Sequence, residues 1–377
     1  MKKILSTTAL ASALVLGANY GYAQTTVTGQ LDLGYRAYEA KVTGSKGSAS
    51  HRGFTRETQI NVQNKGKLSN GLDYTAGFAW EIDGSESVSN GGTAANNDGT
   101  THGAFSENTY INFISGNTTL HLGADHIQNP NFEITNLAGG VADIDDLVAE
   151  RRQAGNSAAS ANSSLAAIHK TNDASSGSQA HGIGVIQNFG VARASVLYTP
   201  GGAAMANDGS GNSLGTDSGQ SQIEVMVRGD MGVKGLDAFI YRGMQDSDTP
   251  GSTGLTEDVQ GMKYGLSYNF GQFSVAASQS KVESTATVEA KTTSLGAAFA
   301  VNKELTIGLI HSKTSADGIV TTAKSATSVP DEKIKAINVG YNLGPVVMNT
   351  MLVDSENVGG VSATDPRVFF VNLTTKF

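Results

Sequence analysis

From residue 24 onward, apolar residues alternate with polar or very small ones in short runs along nearly the whole chain. In LDYTAGFAWEI, Leu72, Tyr74, Ala76, Phe78, Trp80 and Ile82 share one face, and Asp73, Thr75, Gly77, Ala79 and Glu81 share the other. GMKYGLSYNF sets Met262, Tyr264, Leu266 and Tyr268 against Lys263, Gly265 and Ser267. IKAINVGYNLG sets Ile337, Val339 and Tyr341 against Asn338 and Gly340. A period of two belongs to strands with one apolar face. Such runs begin near residues 26, 54, 72, 105, 118, 181, 191, 221, 236, 259, 272, 291, 305, 333, 345 and 367, which predicts 16 strands.

The connections alternate in length. Short ones are KGKLSNG (65–71), SGNT (115–118), NFG (188–190), DMGVKG (230–235), NFG (269–271), VNKE (301–304) and NLG (342–344). Long ones fall near 40–52, 83–104, 126–180, 200–219, 244–258, 282–290, 314–332 and 354–366. A sandwich has no reason to sort its loops by parity, whereas an up-and-down sheet closed across a membrane does. Closure matters because hydrocarbon cannot satisfy an open edge. The expected fold is therefore all-β, a transmembrane antiparallel up-and-down barrel of residues 24–377.

Aromatic positions fit that reading. Phe113, Tyr268, Phe299, Tyr341 and Phe377 end strands at the short-turn side and Phe273 begins one there, all on the apolar parity. This is half of an aromatic girdle at headgroup level.

The first 23 residues stand apart. Lys2 and Lys3 precede an apolar run from Ala9 to Ala18 and the small residues Gly21 and Ala23. That pattern predicts a secretory signal peptide, 1–23, cleaved after Ala23. Removing it takes the formal net charge from −8 to −10, and the chain holds no cysteine. The acidic balance argues against a nucleic-acid partner. Absence of cysteine excludes thiol, disulfide-exchange and zinc-ribbon chemistry. Since no later segment has 18 successive apolar residues, a membrane role must use strands.

The other parity is polar: Gln30, Asp32 and Arg36 on strand one, Glu57, Gln59, Asn61 and Gln63 on strand two, Asn108 and Asn112 on strand four. A barrel of this size is too wide for side chains to fill, so water should occupy it. On this reading Arg at Ile337 or Leu373 should be costly, and Arg at Asn338 or Asn372 mild. The longest connection, 126–180, suits a loop folded into the lumen. Within it Ala142–Arg152 is the best helical candidate and clusters Asp143, Asp145, Asp146 and Glu150 ahead of Arg151 and Arg152. Placed in the lumen, these carboxylates would form one wall of a constriction. Arg36, Arg193, Arg228 and Lys263 fall on the inward parity, and Arg56 does not. Carboxylates opposite cations would set a field across the pore.

Other signals lead less far. Arg228-Gly229-Asp230 spells an adhesive tripeptide but sits at a short turn. Asp143-Ile144-Asp145-Asp146 offers oxygen ligands without EF-hand spacing or glycine. His121 and Asp125 share a face but have no evident nucleophile. No cofactor and no catalytic site is expected.

With its leader, its recurring YNFG, YNLG and QNFG turns, its long third loop and a terminal KF ending in Phe377, the chain resembles the Gram-negative general porins. The resemblance implies an outer-membrane homotrimer that passes ions and small hydrophilic solutes, with the third loop as eyelet. Family eyelets oppose loop carboxylates to wall arginines, which carries over to Asp143, Asp145, Asp146 and Glu150 against Arg36, Arg193 and Arg228. The loop holds no PEFGG, and the wall bases are spread over different strands. The expected function is a passive diffusion channel, mildly cation-preferring. A solute-selective porin and a surface receptor or adhesin acting through SESVSNGGTAANNDGTTHGAF are the alternatives.

Overall fold

The computed structural model describes residues 23–40, 49–82, 104–124, 182–199, 221–246, 259–284, 288–316, 319–320, 326–327, 330–357 and 365–377. Residues 1–22 of the leader and the long segment between 124 and 182, with its carboxylates, lie outside the described residues.

The strands are β1 (Gln24–Ala40), β2 (Ala49–Lys67), β3 (Asp73–Ile82), β4 (Ala104–Ser115), β5 (Thr118–Ala124) and β6 (Gly182–Asn188). They continue with β7 (Ala192–Thr199), β8 (Ser221–Gly229), β9 (Leu236–Asp246), β10 (Val259–Phe270), β11 (Phe273–Ser284) and β12 (Val288–Ala300). The last are β13 (Leu305–Ala316), β14 (Ile319–Val320), β15 (Ala326–Thr327), β16 (Glu332–Asn342), β17 (Val346–Glu356) and β18 (Arg367–Lys376). All but β14 and β15 form one closed antiparallel barrel of 16 strands, in which β1 pairs with both β2 and β18. The short β14–β15 ladder is an addition within the connection expected to be plain loop.

Turn chemistry explains the short side. In the Asn-x-Gly turns the Gly amide donates to the preceding Asn side chain, Gly190 N to Asn188 Oδ1 and Gly344 N to Asn342 Oδ1, both at 2.8 Å. These glycines take φ of 87° and 91°, a left-handed conformation that costs a side-chain-bearing residue dearly.

The outward parity is as expected. Leu33, Trp80, Val185, Leu266, Leu309 and Leu373 are exposed, as lipid-facing residues of an isolated chain must be. The aromatic girdle is continuous over one arc, where Tyr268, Phe270, Phe273 and Phe299 stack with successive centroids 6.0, 5.8 and 4.7 Å apart.

The inward face departs from the sequence reading in two places. A bulge between β3 and β4 puts Gly77 opposite Tyr110 but Ala79 opposite Glu107, so the parity of β4 changes across Asn108. More extensively, Ile310, Ile334, Ala336, Met351, Val353 and Val368 form a buried apolar cluster on the lumen side, with Phe370 against it. Polarity inverts along these strands. On β16, Lys333 and Lys335 point out while Ile334 and Ala336 point in; from Ile337 to Asn342 the apolar residues point out. Period two assigns a face but not the height at which the outer face leaves the hydrocarbon. Asn338 is accordingly 2% exposed, not a freely solvated lumen residue.

Candidate functional site: the lumen wall

A charged stretch of the described wall spans β7 to β10. Arg193 and Arg228 stand directly opposite each other across β7 and β8. Two like charges in that position repel, and Asp237 on β9 offsets them. It takes both arms of the Arg228 guanidinium, Nε to Oδ1 at 3.0 Å and Nη2 to Oδ2 at 2.6 Å. Bidentate geometry fixes the Arg228 head against the wall near the short-turn end. Arg193 remains exposed. The tripeptide Arg228-Gly229-Asp230 is thus committed to the barrel, with its arginine in the lumen.

Higher on the same arc Glu224 and Lys263 are buried, 4% and 5% exposed. Leu197, Met226, Phe239 and Tyr241 form a second buried cluster beside them. The large rings lie along the wall because glycines leave room. A Cβ on Gly265 would come 2.9 Å from Phe239 Cε1 and 2.8 Å from Ala277 O. Lys263 also heads a row of hydroxyls. Its register neighbour on β11 is Ser280, then come Thr292 on β12 and Thr314 on β13. Thr292 and Thr314 hydrogen bond at 2.9 Å, and Ser294 donates to Ser312 at 3.1 Å one row below.

Across the barrel, half of 16 strands away, β1 and β2 face β9 and β10. Asp32 there accepts from Gln30 Nε2 at 2.5 Å and from Asn372 Nδ2 at 3.4 Å. The arc continues with carboxamides and hydroxyls: Gln63 donates to Tyr110 Oη at 2.7 Å and Asn112 to Thr75 Oγ1 at 3.0 Å. His121 Nδ1 lies 2.7 Å from Asn112 Oδ1, leaving its Nε2 buried without a partner among the described residues. The wall is therefore sorted into a polar arc, a charged arc, a hydroxyl arc and an apolar one.

Of the residues expected at the constriction, Arg193 and Arg228 are brought together. The Arg36 backbone lies on β1, six and seven strands from them, opposite Gly53 and Phe370 toward the long-loop end. Asp143, Asp145, Asp146 and Glu150 lie outside the described residues. The sequence reading missed Asp237. It stands on the inward parity of LDAFIYRG, and only the β8–β9 register reveals its arginine.

A sequence model of the Gram-negative porin family matches residues 6–371. Comparison with curated protein sequences finds no significant match. Among solved structures, the anion-selective porin from Comamonas acidovorans aligns with a TM-score of 0.63 at 16% identity, covering 94% of this chain and 100% of that one. The outer-membrane channel DcaP of Acinetobacter baumannii gives 0.60 at 12%, covering 95% and 100%. OmpF of Salmonella typhi, solved with daunomycin, gives 0.58 at 11%, covering 94% and 97%. At these identities the likeness is one of fold.

Proposed function

Because the chain belongs to the Gram-negative porin family of the bacterial outer membrane, we propose that it forms a water-filled channel through which ions and small hydrophilic solutes diffuse passively, with a mild preference for cations. The observation that carries this is the closed barrel of 16 strands whose lumen wall presents Asp32, Gln63, Asn112, Arg193 and Arg228 while its outer face is apolar. Residues 1–23 are the leader lost on export, and three copies assemble. Asp143, Asp145, Asp146 and Glu150 form the acidic side of the narrowing, with Arg193, Arg228 and Arg36 on the wall. Cation preference is supported by the net charge and that acidic cluster.

A second reading, anion preference, is favoured by the β7–β10 arc, where Arg193, Arg228 and Lys263 outnumber the carboxylates of Asp237 and Glu224. The anion-selective Comamonas porin shares the fold. Zero-current potential across a bilayer under a potassium chloride gradient separates the two. The proposal expects the sign of a cation-selective pore, and the opposite sign would transfer the conclusion to the second reading.

A further inference from the structure

We propose that the outer face of β11, β12, β13 and β16 carries a recognition belt for the phosphate groups of anionic lipid headgroups, formed by Lys281, Lys291, Lys313 and Lys333, with His311 and Lys335 just beneath.

The lysines share one height. Lys281 is eight residues from the outward Phe273, Lys291 eight from Phe299, Lys313 eight from Leu305 and Lys333 eight from Tyr341. Each of these reference residues marks the short-turn end of its strand. Eight residues extend about 26 Å along a strand. At the usual barrel tilt that is about 20 Å along the membrane normal, close to the ~25 Å apolar band. Above the short-turn level the outer face is apolar, with Val275, Leu295, Leu309 and Ile337 exposed, and it turns polar at Gln279, Thr293, His311 and Lys335, one step short of the four lysines. The lysines therefore stand where hydrocarbon gives way to headgroups.

They are also set in pairs that repel. Lys281 is directly opposite Lys291, Lys313 opposite Lys333, and His311 opposite Lys335. Like charges in cross-strand register destabilise a sheet. Asp331 meets Lys313 at 2.7 Å, and Glu356 is shared between Lys333 at 3.1 Å and Lys335 at 3.6 Å. Acidic positions follow on the loop side: Asp331 precedes Lys333, and the backbones of Glu283 and Glu289 are in register across β11 and β12 two residues beyond Lys281 and Lys291. Basic positions thus stand against the hydrocarbon edge and acidic positions farther along the strands. A lipid phosphate occupies the level of the positive layer.

General snorkelling of interfacial lysines would place them all round the barrel. Among the described residues the outward strand lysines are clustered on this one arc, and the exposed outward cations elsewhere, Arg52 on β2, Arg242 on β9 and Arg367 on β18, are arginines. On β9 and β10 the positions eight residues from Leu236 and Phe270 are Met244 and Met262, both exposed and apolar.

The test is native mass spectrometry of the purified, folded protein equilibrated in detergent with equal amounts of phosphatidic acid and phosphatidylcholine of the same acyl chains. The wild type is expected to retain phosphatidic acid preferentially. K281Q/K291Q and K313Q/K333Q should each reduce that preference about tenfold, while the corresponding Lys→Arg variants keep it. K234Q/K303Q, in two short-side turns, should leave it unchanged. Testing the pairs separately, with the Arg variants and bilayer conductance as folding controls, keeps loss of recognition distinct from loss of the barrel. No preference in the wild type, Gln variants that retain lipid as the wild type does, or an equal loss in K234Q/K303Q would overturn the proposal. So would dissociation of the oligomer in the Gln variants, which would assign the belt to subunit contact.

Discussion

The Phe377 ring covers Gly29 on the lipid face, and the two residues exchange backbone hydrogen bonds, Gly29 N to Phe377 O at 2.7 Å and Phe377 N to Gly29 O at 3.0 Å. A Cβ on Gly29 would overlap that ring. The last residue of the chain is thus the latch at which β18 meets β1 and the sheet loses its edges. Deleting Phe377 should lower the folded fraction recovered in lipid vesicles, with the surviving channels conducting normally. Gly29→Val should do the same through the ring it displaces. The heat-dependent shift of folded barrel on a gel measures both, and wild-type folding of both variants would remove the latch.

The two faces of the wall make a second prediction. Ile337→Arg, 48% exposed toward lipid, should cost about 2 to 4 kcal/mol. Asn372→Arg, in the lumen beside Asp32, should cost less than about 1 kcal/mol. Asn338→Arg, expected from parity to be mild, should instead be damaging, because Asn338 is buried and arginine overfills its site. Urea-dependent folding into vesicles measures all three.

The charged arc makes a third. Removing Asp237 as Asp237→Asn leaves Arg193 and Arg228 uncompensated, and should move the zero-current potential toward anions. Arg193→Gln should move it toward cations. Because the Arg228–Asp237 side chains are 17% and 40% exposed, the stability change should stay within about 1 kcal/mol.

A fourth concerns the turns. Gly344→Ala must place a Cβ at φ 91° and should cost about 1 to 2 kcal/mol without altering conductance. Thermal unfolding compared with the wild type checks it.

Much of this architecture was legible in the chain. The strand starts near 105, 118, 221, 236, 259, 305 and 367 agree with the structure to within a residue, because turn glycines and asparagines punctuate a period of two. What parity could not supply was height and partner. Ile334 and Ala336 alternate with Lys333 and Lys335 as cleanly as Ile337 and Val339 alternate with Asn338. Only barrel closure shows that the first set reverses inside and outside. Asp237 was unreadable for a related reason: its arginine lies on another strand, and register alone joins them. Arg36 has the same parity as Arg193 and Arg228, but the ring order sets it on a different arc.

The most direct test of a water-filled channel is single-channel recording of the purified oligomer in a planar bilayer over a range of potassium chloride concentrations. Stepwise conductance that rises in proportion to the conductivity of the bathing salt is the predicted result. An absence of steps, from protein shown to be folded, would contradict the account.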